Sequence, residues 1–170
     1  MFKVNLLSHD GYQFSDLEKL QKALSLFEAA MNTERLKSEI VNFSCVLGNK
    51  FEDNQGLSNQ QVFEKLYAGE EHYAAGINFT ADLILVLVKK RKPPFFILHP
   101  AIGFGMPGQK EINTYTWWFY RAELYELAGH FAHEWSHKLG FDHSYNPTPT
   151  RDFSVPYAFG YMVAEIAKTL

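Results

Sequence analysis

Disulfides are excluded within this chain, because Cys45 is its only cysteine. An excess of basic charge is also missing. Sixteen Lys and Arg stand against nineteen Asp and Glu, a net charge of −3. The one basic cluster, Lys89-Lys90-Arg91-Lys92, is short, abuts Pro93-Pro94 and reads as a solvated strand end. Nucleic acid is therefore not an expected partner. Long apolar runs are absent too: the longest, Ala81 to Val88, is interrupted by Asp82 and is too short to span a bilayer. Met1 to Ser8 has no basic region followed by a long apolar run, so no membrane association is expected. A soluble, cytoplasmic protein is the expectation, although a mature secreted form or leaderless export would look the same. No repeat or low-complexity segment breaks the chain.

What is present is apolar and aromatic content of 46% and 16% over 170 residues. That suffices for one compact domain, residues 1–170, expected to be monomeric and to bury well over half of its unfolded surface. Cys45 is expected to serve as a small core residue on a strand. Phe2, Val4 and Leu6 alternate with polar neighbours before Ser8-His9-Asp10-Gly11, which predicts a strand and a turn. Ser15-Asp16 opens a helix whose apolar positions run from Leu17 to Met31 at helical spacing. The β-branched and aromatic content of Ser38 to Leu47 predicts a second strand. Residues 49–79 read as an insertion containing a short helix capped by Ser58. Ala81 to Lys90 is the strongest strand. Phe95 to His99 follows as a short one, and a third near Glu111 to Trp118 follows the Gly103 to Gly108 loop. The fold class expected from this order is α+β (mixed α/β).

The chemistry is concentrated in His133-Glu134-Trp135-Ser136-His137-Lys138-Leu139-Gly140-Phe141-Asp142-His143. His133 and His137, four apart, project from one helical face and can share one metal ion, with Glu134 about 100° further round. Gly140 can end the helix in a left-handed conformation, and the reversal brings His143 back as third ligand. A bare His-Glu-x-x-His arises by chance in roughly one of a few hundred chains of this length. Gly140 and His143 at fixed offsets make it about a thousand times rarer, so chance is a poor explanation. Around the helix from Glu123 to Leu139, residues Glu123, Glu126, His130, His133, Glu134 and His137 fall within about 100° of arc. Leu124, Leu127, Ala128, Phe131, Trp135 and Leu139 fill the opposite side, so Phe131 and Trp135 are expected in the core. Lys138 lies near the C-terminal end, where its charge suits the helix dipole. His130 either lines the cleft, holds a carboxylate such as Glu126, or is a hydrogen-bonded structural histidine. His9, His72 and His99 have no partner spacing.

The run resembles the H-E-x-x-H-x-x-G-x-x-H signature of the metzincin metallopeptidases, and every signature position matches. Its look is nearest to matrixins, with Ser144 after the third histidine. Ser136 stands where matrixins usually have glycine, and no subfamily is assigned. The resemblance implies a twisted mixed sheet of about five strands with one antiparallel edge strand. That sheet would lie over a central active-site helix, with further helices at both ends of the chain. Phe95 to His99 is the candidate edge, able to bind substrate as an added strand. The implied cofactor is Zn²⁺ on His133, His137 and His143, with one position left for water. Glu134 is the implied general base in hydrolysis of a peptide or protein substrate. Latency through a pro-segment cysteine on the metal has no support in the chain.

The family's methionine turn is imperfect here, since Ser154-Val155-Pro156-Tyr157 has proline in place of methionine. Met162 is either the floor of the metal site or a core gap-filler beside Ala158 and Ile166, on a helix from Val155 to Leu170. Tyr157 is the expected oxyanion donor, and Tyr161 lies one helical turn further on. Asp142 either orients a neighbouring histidine or is a surface turn residue. Two other readings remain. A thermolysin-like site would use Glu165 as third ligand, which His143 makes redundant. Alternatively, the chain is a zinc-stabilised binding protein or an inactive metallopeptidase homologue.

Overall fold

The computed structural model describes residues 1–46, 48–72, 76–94, 101–105 and 109–170. The expected edge strand Phe95 to His99 lies outside the described residues. Four strands form a mixed sheet in the order β1-β2-β4-β3: β1 (Lys3–Asp10), β2 (Thr80–Val88), β3 (Gly103–Gly105) and β4 (Glu111–Tyr115). Pairs β1–β2 and β2–β4 are parallel, and β3 runs antiparallel to β4. The chain is thus mixed α/β with four strands among the described residues, where about five were expected. In β2 the buried side chains Ala81, Leu83, Leu85 and Leu87 alternate, which sets one face of this central strand against the core.

The expected strand over Ser38 to Leu47 does not form among the described residues: Ser38 to Val41 are the end of a helix, and turn and irregular backbone follow to residue 46. After α1 (Phe14–Met31) comes α2 (Glu34–Val41), whose N-cap Thr33 accepts a hydrogen bond from the Leu36 amide. Leu36 and Ile40, four apart, bury one helical face, and that burial outweighs the β preference of Ile40 and Val41. Cys45 is half-buried and sits in an isolated bridge with Gly48, so it is no core strand residue. Ser58 caps α3 (Asn59–Ala68) as expected, and the structure adds a reciprocal pair with Gln61. Strand β4 ends at Tyr115, where the short α4 (Thr116–Phe119) begins.

Helix α5 (Leu124–Lys138) is the central element. Trp135 is fully buried among Phe2, Phe27 and Phe159, with ring centroids 5.6, 5.9 and 6.3 Å away. Such aromatic burial is worth several kcal/mol, on the order of 3–5 when a tryptophan or phenylalanine is truncated. Helix α5 packs chiefly against α6 (Val155–Ala167), and the two axes meet at Gly129 and Gly160. A Cβ on Gly129 would stand 2.6 Å from the Gly160 carbonyl oxygen, so the close crossing needs glycine there. No described helix is long and apolar enough to cross a membrane.

The anticipated polar arc of α5 divides in two. Glu123 and Glu126 cap the helix reciprocally, the Glu123 amide donating to Glu126 Oε2 at 2.8 Å. They take no part in the site. His130, Glu134 and His137 are buried, as is Lys138, near the C-terminal end of the helix where its charge was expected to suit the dipole. Lys138 Nζ donates to the carbonyls of Gln109 (2.6 Å) and Glu111 (2.9 Å), tying α5 to the start of β4.

Candidate metal centre

Helix α5 presents His133 and His137 one turn apart, and the chain then reverses. Gly140 adopts φ +86°, and the amides of Gly140 and Phe141 return to the carbonyls of His137 and Ser136. A left-handed residue here closes the last turn and buries Phe141. His143 is thereby brought back onto the helix. One ligand nitrogen from each of His133, His137 and His143 lies within 4.8 Å of the others.

The second ring nitrogen of each imidazole is occupied. His137 Nδ1 meets the Phe141 carbonyl at 2.8 Å and His143 Nδ1 meets the Ser144 carbonyl at 3.1 Å. The Pro156 carbonyl, at the start of α6, accepts from His133. A carbonyl only accepts, so each of these nitrogens carries the proton, and every Nε2 is a bare lone pair. His133 Nε2 and His143 Nε2 nevertheless approach to 3.2 Å. Two lone pairs cannot hydrogen-bond to each other. Two tetrahedral ligands with metal–nitrogen bonds of about 2.0–2.1 Å would stand about 3.3–3.4 Å apart, so the spacing and the donor set fit one zinc-sized cation. Burial holds His133 well below the usual imidazole pKa, and it lowers His137 to about 4. Both rings are therefore neutral at physiological pH, the form in which an imidazole can bind a metal.

Glu134 is buried against β3, and the Gly105 amide hydrogen-bonds to it. Burial pushes its pKa up to about 8, against the pull of that amide and of the Lys138 charge. Gly105 lies so close that a Cβ there would stand 2.9 Å from Glu134 Oε2. His130 does not reach Glu126. Its Nε2 pairs with Thr114 Oγ1 at 3.0 Å, and its Nδ1 lies 3.6 Å from Glu134 Oε1. Burial drops its pKa to about 3, so it is a neutral, structurally held ring beside the carboxylate.

Tyr157 packs on the cluster, its ring centroid 4.6 Å from that of His133 and 4.7 Å from that of His143. Tyr161 is half-exposed and touches Tyr157 at 6.1 Å. Met162 is half-buried and packs against the hydrophobic core. Glu165 is exposed and outside the histidine cluster. The Asp142 carboxylate accepts from the His143 amide at 2.8 Å and lies 3.9 Å from His137 Nδ1. His72 is not isolated after all, for its ring packs against Gly140. Sequence reasoning missed Thr114 and the β3 backbone. The available signal was Gly103-Phe104-Gly105, because glycines two apart in a strand mark one face where another element approaches closely. Compared with known proteins, the chain matches no family model, no curated protein and no solved structure.

Proposed function

We propose that the chain is a zinc-dependent endopeptidase of metzincin type, with His133, His137 and His143 as ligands. The supporting observation is the convergence of three imidazole nitrogens within 4.8 Å, with Nδ1 of His137 and of His143 each held by a backbone carbonyl on the far side of its ring. Zinc bound there supplies Lewis acidity, which lowers the pKa of water from about 15.7 to about 7 and polarises a carbonyl. Glu134 follows His133 on the same helix and takes the proton from the attacking water, then delivers it to the departing amine nitrogen. Burial raises its proton affinity, and a cation on the neighbouring histidines would favour the ionised form needed to take a proton. The Gly105 amide fixes the carboxylate's orientation. Tyr157 donates its phenolic proton in a hydrogen bond to the oxygen that becomes negative. Strand β3, whose second edge is unpaired among the described residues, receives the peptide as an added strand.

The test compares purified wild type with Glu134→Gln on a broad peptide pool, reading new termini by mass spectrometry. Wild type should cleave, and Glu134→Gln should keep its zinc and lose about 10²–10⁴ in rate. Tyr157→Phe should slow turnover more than Tyr161→Phe, with zinc content unchanged in both. A wild type that holds zinc and cuts nothing would instead be a zinc-stabilised binding protein.

A further inference from the structure

A cation with no carboxylate partner among the described residues stands beside the histidine cluster. Arg151 lies in a single 3₁₀ turn (Arg151–Phe153) leading into α6, and its guanidinium carbon sits 4.8 Å from the Tyr157 ring centroid. That ring in turn packs on His133 and His143. Among the described residues the Arg151 side chain makes no hydrogen bond or ion pair, and its Nε is buried without a partner. The turn itself is firmly held: the Glu52 amide donates to the Phe153 carbonyl at 3.0 Å, and Thr150 Oγ1 donates to Glu52 Oε1 at 2.5 Å. Glu52 is the rival for the charge, because its Oε2 is also buried and unpartnered, yet the two residues do not pair. A guanidinium stacked on an aromatic face keeps its planar fork pre-oriented, so little side-chain freedom is lost when it grips a carboxylate through two parallel N–H bonds.

We infer that Arg151 is a substrate-reading residue that binds a peptide carboxylate, either an Asp or Glu side chain or a free C-terminus. This rests on the peptidase reading of the neighbouring site. The guanidinium is separated from His143 by no more than the Tyr157 ring, which places the carboxylate about two to three extended residues from the bond at the histidines. The surroundings do not favour acidic peptides otherwise. Net charge is −3, and the pocket of about 380 Å³ against His143 is lined by Asp53 and Asp142. A preference for acid would therefore have to come from Arg151 and not from a general positive field.

The experiment uses zinc-loaded, full-length Glu134→Gln, so that binding is measured without turnover. The probes are dansylated alanine-rich hexapeptides with one Glu walked along the sequence, each paired with its Gln twin and made with both acid and amide C-termini. At least one acidic peptide should bind about tenfold tighter than its uncharged twin. Adding Arg151→Gln should erase that difference and leave the neutral twin's affinity in place. Arg151→Lys should recover only part of it, because a point charge lacks the fork. Thermal melts of each variant identify any loss of fold. The Glu/Gln pairs distinguish a side-chain carboxylate from a C-terminal one, which the acid/amide pairs report. Equal binding of acidic and neutral twins overturns the inference, as does an acid preference that survives Arg151→Gln. Cleavage of the neutral twins by wild type tests the peptidase reading separately. Cleavage without discrimination sinks only the Arg151 inference, and discrimination without cleavage sinks only the peptidase.

Discussion

Glu71 shows how a single buried charge can be read through the pH dependence of stability. Its side chain is almost fully buried, and Oε1 accepts hydrogen bonds from the Trp135 indole at 2.8 Å and the Asp82 amide at 2.9 Å. Oε2 has no partner. Burial raises its pKa, and the indole and amide bonds only partly offset this. A carboxyl group whose folded pKa lies above its unfolded value contributes stability that is fully present below the unfolded pKa. That contribution is lost as pH rises through the folded pKa. Glu71→Gln keeps the Oε1 acceptor and removes the charge. It should match wild type in acid and become progressively the more stable of the two as pH rises above the ordinary carboxyl range, with the gap levelling off above the folded pKa. Urea unfolding of both proteins from pH 4 to 8 measures this. A gap that stays constant across the range would mean that Glu71 is not the titrating group.

At the scale of elements, the legible parts were those whose signal is local. Helix α5 is marked by helical periodicity from Leu127 to Trp135 and by Gly140 at its end, and β2 by alternation from Ala81 to Leu87. Helix α2 was hidden because Ile40 and Val41 favour strands, while its deciding features are a Thr33 cap and one buried pair, Leu36 and Ile40. Strand β3 was hidden because two of its three residues have no side chain. It is defined by pairing with β4 and by contact with α5, neither of which is local. The three imidazoles and Glu134 could be located from spacing, but their carbonyl and amide partners could not, since backbone groups carry no sequence identity. Gly140 joins both kinds of information. Its φ is +86°, and a Cβ there would stand 2.5 Å from the His72 ring. Gly140→Ala should cost about 1 kcal/mol or more. It should also weaken zinc binding, because the same turn places the Phe141 carbonyl that orients His137. Chelator competition and urea midpoints separate the two effects. Reduced stability with unchanged zinc affinity would make this turn a purely structural cap.

For the whole molecule, the histidine cluster joins three segments that the core holds only in part. His133 and His137 belong to α5, His143 to the returning loop, and the Pro156 carbonyl behind His133 to the start of α6. Much of the core lies away from this junction, although Phe141 and Val155 belong to both. Phe27, Phe131, Trp135 and Phe159 are fully buried within the core. Metal removal should therefore loosen the loop and the start of α6 without unfolding the chain, unlike small zinc domains whose folding free energy is the metal's own. Protein purified without added metal should carry one zinc per chain by elemental analysis. With free zinc at a hundredfold its Kd, the native state gains about 2.7 kcal/mol. For a domain of this size that corresponds to a rise in Tm of roughly 5–10 °C. His143→Ala should lose most of that rise while its metal-free melt stays close to that of metal-free wild type, because His143 is half-exposed and lies outside the core. An unchanged zinc-dependent rise in His143→Ala would remove the third ligand from the site. A metal-free protein without cooperative unfolding would show that the hydrophobic core cannot stand alone.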